Sequence, residues 1–201
     1  MAADHPEHPS KDSLLALPLE LPAPKDDGGA AHLKGADMPS LALPATNGAD
    51  ARVDAPPPGF ERLVLYFYPK TGRPGVALPR GWDDIPGARG CTPESCGFRD
   101  HASDLATAGA WVAGVSTQTT AYQLEAVTRL GLPFPLLSDS ALLLTKAIRL
   151  PTFQAGGEVL IKRLTLVIRH GLVEEVFYPV FPPDRHAEQV LAYIRNTIRT
   201  P

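Results

Sequence analysis

Only two cysteines occur in the 201 residues, Cys91 and Cys96. A zinc site takes four ligands, usually as two spaced pairs of Cys or His, and no second pair exists here. The spacing is C-x4-C, so a thioredoxin-type C-x-x-C centre is excluded as well. No apolar run approaches the roughly 18–20 residues that span a bilayer. The start, "MAADHPEHPSKDS", lacks a basic stretch followed by an apolar one, so no secretory signal is visible. With a formal net charge of −3 there is no basic excess to suit a nucleic acid. A reducing cytoplasm is the expected compartment, where a disulfide is more often catalytic or redox-sensing than structural. No internal repeat is present.

Proline, by contrast, is abundant at 22 residues, many of them in 1–58, as in "EHPS", "ALPLELPAPKDD" and "DAPPPG". Residues 1–37 read as a proline-rich, partly disordered or loosely docked arm, followed by one domain over 38–201. "LALPATNGADARV" carries an Asn47-Gly48 turn between short β-capable runs, a hairpin signal. "RLVLYFY" (62–68) is a near-continuous apolar run, as expected of a strand buried on both faces, and it stops at Pro69. Residues 70–90 read as a long loop rich in Gly and Pro.

A helix is expected from about Pro93 to Gly109, with Phe98, Ala102 and Leu105 on one face. "AWVAGVS" reads as a second buried strand and "TTAYQLEAVTRLG" as a helix ending at Gly131. "FPLL" (134–137) reads as a short strand, and "SALLLTKAIRL" as a helix capped by Asp139 or Ser140. "RLTLVIRHGLVEEVFY" divides at His170-Gly171 into an antiparallel hairpin. Beyond Pro182-Pro183, a stripe of Ala187, Val190, Leu191, Ile194 and Ile198 predicts a closing helix. This order predicts an α/β fold, a central mixed β-sheet flanked by helices.

Cys91 falls at the start of the first long helix, with Thr92 as a candidate cap and Pro93 suited to the first turn. Unpaired backbone N–H groups and the helix dipole favour a thiolate there, and Arg89 and Arg99 stand close in sequence. One reading is an attacking thiol with Cys96 as its resolving partner: an oxidant forms a sulfenic acid that condenses to a disulfide. The other is two buried structural cysteines, since free Cys is among the most buried residue types.

"YFYPK…GCTPESCGFRD" resembles the peroxiredoxin family, in its bacterioferritin comigratory protein (Q-type) branch. The likeness continues through "GVSTQT" (114–119), "FPLLSD" (134–139) and "KRLTLVIRHG" (162–171), and covers about residues 38–198. It implies a thioredoxin-like fold. It implies a thiol-dependent peroxidase that reduces hydrogen peroxide or organic hydroperoxides through a sulfenic acid and an intramolecular Cys91–Cys96 disulfide. By the resemblance, Cys91 matches the peroxidatic cysteine and Cys96 the resolving one. Arg163 matches the arginine that holds the thiolate and polarises the peroxide, and Pro69 the proline opening the active-site loop. The partners implied are a peroxide and thioredoxin or a similar dithiol, with no metal, haem or flavin, no nucleic acid and no membrane. With both cysteines in one chain, a monomer is expected.

The chain departs from the family's P-x3-T-x2-C pattern. Ala88 stands three residues before Cys91 and Asp84 seven before, so residues 76–90 read as an insertion. The family's threonine hydroxyl is thereby lost, with Thr71 or Thr92 as candidate replacements. Trp82 is expected to pin the inserted loop or to shape an entrance. Arg163, taken alone, could instead pair with Glu174 or Glu175, and the six histidines are expected at exposed or turn positions. The competing functions are a thiol–disulfide oxidoreductase without peroxidase activity, a redox sensor, and a copper-binding thioredoxin-like chaperone of Sco type. The last uses C-x3-C and a membrane anchor, which this chain does not match.

Overall fold

The computed structural model describes residues 9–18 and 20–199. Residues 1–8 of the expected arm lie outside them. The chain begins with a short helix α1 (Lys11–Leu15), whose first turn is capped by the Ser10 hydroxyl accepting from the Ser13 N–H. Leu14, Ala30 and Leu33 of this proline-rich segment are buried, and Leu33 belongs to the main core.

A small hairpin follows, β1 (Ala42–Pro44) with β2 (Asp50–Arg52), turning through Gly48 at φ 84 as the Asn-Gly signal requires.

Every residue of β3 (Arg62–Phe67) is buried, because this strand lies at the centre of the sheet. Its odd positions, Leu63, Leu65 and Phe67, point into one core. Its even positions, Val64 and Tyr66, point into the other, so the two-residue period feeds both faces. Next come α2 (Cys91–Asp100), α3 (Ala102–Thr107) and β4 (Ala110–Ser116). The single helix expected over 93–109 is therefore two, broken at His101. Helix α4 (Thr120–Leu130) closes on Gly131 at φ 62, the left-handed position a glycine takes at low cost.

Strand β5 (Leu136–Ser138) sits slightly later than expected. Helix α5 (Leu143–Ala147) begins after Leu142, and the Asp139 carboxylate accepts from the N–H groups of Leu144 (3.1 Å) and Thr145 (2.8 Å). A hairpin that the sequence reading did not find, β6 (Thr152–Ala155) with β7 (Glu158–Ile161), turns at Gly156-Gly157. Strands β8 (Leu164–Arg169) and β9 (Leu172–Phe177) form the expected hairpin, and α6 (His186–Arg199) closes the chain.

The five-stranded sheet has the order β5-β4-β3-β8-β9. β3, β4 and β5 are parallel, while β8 pairs antiparallel with both β3 and β9. The sheet is therefore mixed and thioredoxin-like. Helices α2, α3, α4 and α6 supply Phe98, Leu105, Ala126, Val190 and Ile194 to the face that carries Tyr66. Ile198, expected on the α6 stripe, is exposed. His186 is fully buried, contrary to the exposed position expected of it; its Nε2 lies 2.8 Å from Thr165 Oγ1. No helix among the described residues is long and apolar enough to cross a membrane.

Candidate functional site

The site forms where β3 ends, α2 begins and the chain enters β8. Gly90 precedes α2 at φ 107, a conformation an L side chain rarely adopts, and a Cβ there would collide with Pro183. Gly90, not Thr92, thus holds the cap position, and Cys91 is the first helical residue. The first backbone N–H groups of a helix have no partner within it, so Cys91 stands at an electropositive end.

Arg163 reaches this end from the turn before β8 and is fully enclosed. Its Nη2 lies 3.2 Å from Cys91 Sγ and donates to the carbonyls of Ala88 (3.2 Å), Arg89 (3.2 Å) and Gly87 (3.3 Å). Those carbonyls fix the guanidinium in place, and its Nη1 pairs with the Glu94 carboxylate. Glu174 and Glu175, the alternative partners for Arg163, are bound instead to Arg62 and Lys34.

Glu94 is the residue that sequence reasoning missed. Three positions after Cys91, it resembles any first-turn acid of a helix. Here it is wholly buried with Oε1 unpartnered, and burial pushes its carboxyl up to about 7 against the pull of Arg163.

The Cys91 thiol is 3% exposed, and burial pushes it up. Arg163 and the Lys70 backbone N–H pull it down, while Glu94 opposes them. The net direction is upward. The lowering expected from the helix start and nearby arginines is outweighed by desolvation of a thiolate in this enclosed place. Of those arginines, Arg89 bonds Asp83 and the Ser13 carbonyl, and Arg99 bonds Asp100 and the Leu130 carbonyl.

Cys96 lies on the same helix, half-buried against the core that carries Tyr66 and Phe98. Burial raises its thiol, with Arg99 pulling the other way. Five residues of intact helix separate the two Cα atoms by roughly 8–9 Å. A disulfide needs less than ~7 Å, so both thiols are free and cannot bond while α2 is whole.

Of the two candidate hydroxyls, Thr71 is engaged elsewhere: its Oγ1 donates to Gln118 Oε1 at 3.1 Å, beside its N–H at 3.0 Å. Thr92 is buried, lines the small cavity at Cys91 with Lys70 and Gly72, and makes no side-chain hydrogen bond among the described residues. Trp82, within residues 76–90, is buried against Phe153, ring centroids 6.3 Å apart. Trp82 and Leu14 line the same small cavity.

A buried thiol held by an arginine at a helix start, on a thioredoxin-like sheet, defines a redox-active thiol protein. The chain belongs to the Redoxin family, whose model matches residues 33–191. Its likeness within that family is to the Q-type, or bacterioferritin comigratory protein, branch. It is 29% identical over 163 residues to the chloroplastic peroxiredoxin Q of Arabidopsis thaliana, covering 81% of this chain and 67% of that one. The chain spans about half of the curated peroxiredoxin Q of Triticum aestivum, 54% of its length, at 33% identity. Among solved structures, peroxidoxin BcpB of Mycobacterium tuberculosis is similar with a TM-score of 0.64 at 29% identity, over 84% of this chain and 100% of that one. The bacterioferritin comigratory protein of Xanthomonas campestris, described for its alkyl peroxide reduction, has a TM-score of 0.62 at 25% identity, over 84% and 99%.

Proposed function

We propose that the chain is a thiol-dependent peroxidase in which Cys91 attacks, Cys96 resolves and Arg163 polarises. The observation that carries this is the 3.2 Å approach of Arg163 Nη2 to Cys91 Sγ at the start of the helix that also bears Cys96. The Cys91 thiolate attacks the terminal oxygen of the peroxide and forms an S–O bond as the O–O bond breaks. The departing oxygen takes a proton and leaves as water or an alcohol. The Arg163 cation offsets the thiolate's charge before attack and the leaving oxygen's charge during it.

The sulfenic acid then meets the Cys96 thiolate, an S–S bond forms, and the hydroxyl leaves as water. An external dithiol, thioredoxin or one similar, supplies two electrons and two protons to restore both thiols. Both cysteines lie in one chain, so a monomer suffices. A reducing compartment such as the cytoplasm suits a cycle that ends in the dithiol. Residues 76–90 act as an insertion bordering the site, and the described part of the proline-rich arm, 9–18 and 20–37, packs on the domain 38–201.

The two cysteines are tested by replacing each. With thioredoxin, thioredoxin reductase and NADPH, Cys91→Ser should show no peroxide reduction. Cys96→Ser should react once per chain and leave a dimedone-trappable sulfenic acid at position 91. Full turnover in Cys91→Ser would contradict the assignment.

A further inference from the structure

The space beside Cys91 is about 10 Å³ in volume, bounded by Leu14, Lys70, Gly72, Leu78, Trp82 and Thr92 among others. A void needs roughly 10–15 Å³ by this measure to hold one water. Hydrogen peroxide, two oxygens long, asks for little more; a branched or aromatic hydrocarbon tail does not fit.

The walls are tightly seated. A Cβ placed on Gly72 would stand 2.5 Å from Leu14 Cδ2 and 3.3 Å from Leu78 Cδ2, so both side chains rest on the site's backbone. Leu17 presses on Gly90 in the same way, 3.1 Å from a Cβ placed there. Trp82 is clamped in its own cluster with Ala88 and Leu160. The N-terminal segment is tied down by Arg89 donating to the Ser13 carbonyl and by the Gly75 N–H donating to the Pro9 carbonyl at 3.0 Å.

Roomier apolar space does exist nearby, a cavity of about 420 Å³ lined by Pro24, Ile85, Pro86, Phe153 and Tyr178. It reaches Arg163 but not Cys91, so a tail lodged there does not carry its O–O bond to the sulfur.

We propose that this roof, built from α1 and the inserted loop, makes the chain selective for hydrogen peroxide over bulky organic hydroperoxides. Leu14 and Leu78 set the limit. The proposal rests on the peroxidase reading and narrows its substrate class. A bulky hydroperoxide reaches Sγ only after α1 lifts and exposes Leu14 and Leu78 to water, a cost hydrogen peroxide does not meet.

The test measures kcat/KM for hydrogen peroxide and for cumene hydroperoxide in the full chain, in Leu14→Ala and in Leu78→Ala. Val76→Ala serves as control, since Val76 is in the same loop but 47% exposed. The unaltered chain should prefer hydrogen peroxide. Leu14→Ala or Leu78→Ala should raise the cumene-to-hydrogen-peroxide ratio by about tenfold, or ~1.4 kcal/mol in relative barrier. The control should leave it unchanged. Equal efficiency on both peroxides in the unaltered chain would overturn the roof while leaving the peroxidase reading standing, as would a ratio unmoved in both variants. Absence of hydrogen peroxide reduction in the unaltered chain would overturn both.

Discussion

The two thiols of helix α2, one at its first residue and one in its middle, sit in different surroundings. Cys91 is sealed, touched by a buried cation, and shares that cation with a buried carboxyl. Cys96 is half-buried, and its neighbouring charges, Arg99 and Asp100, sit near solvent, with side chains 34% and 61% exposed. A charge beside Cys91 acts through a low-dielectric interior, whereas one beside Cys96 is screened by water. The difference teaches where chemistry can be tuned: substitutions around Cys91 should move rates and titration strongly, and those around Cys96 weakly.

Arg163→Met should break the contrast most. It removes the cation next to Cys91 Sγ, and loss of one such electrostatic partner typically costs about 10²–10³ in rate. Rapid-mixing measurement of peroxide attack should show that loss, while reduction of the preformed disulfide changes little. The Cys91 thiol should also titrate at higher pH, because Arg163 now pulls it down. Equal slowing of both steps would reduce Arg163 to a structural role.

Thr92→Val comes next. If the free hydroxyl beside Cys91 stands in for the missing threonine, its loss should slow peroxide attack by about tenfold, the cost of roughly one hydrogen bond. Thr71→Val, which removes a hydroxyl bound to Gln118, should leave the rate of attack nearly unchanged. The reverse pattern would move the role to Thr71.

The smallest effect is expected from Glu94→Gln, and its sign is fixed. Glu94 titrates at about 7, so above that pH it is an anion that raises the Cys91 thiol. The amide cannot ionise, so Cys91 in the variant should form its thiolate at lower pH than in the parent chain. Absorbance of the thiolate near 240 nm in a Cys96→Ser background reads this directly. An upward shift would mean that Glu94 acts chiefly by holding Arg163 in place.

The sheet was legible in the sequence because its strands are continuous apolar runs. "RLVLYFY" and "AWVAGVS" became β3 and β4, and the His170-Gly171 break became the β8–β9 turn. The β6–β7 hairpin was missed because "TFQAGGEVLI" is short and half-exposed, with little apolar alternation to mark it. Helix α2 and the placement of Cys91 near its start could be read locally. The approach of Arg163 could not, since 72 residues separate it from Cys91 and only family resemblance suggested it. The burial of Glu94, of His186 and of Leu14 over the thiol depends on long-range packing, which no local pattern encodes.

In the proposed cycle, two thiols held apart by an intact helix have to meet, which requires the first turn of α2 to open. Gly97, just beyond Cys96, weakens the helix at the far side of that turn. The direct measurement is amide exchange over residues 91–97 in the dithiol and disulfide forms, with the Cys91–Cys96 bond confirmed by mass. The account predicts markedly faster exchange in the disulfide form. Equal protection in the two forms would contradict it.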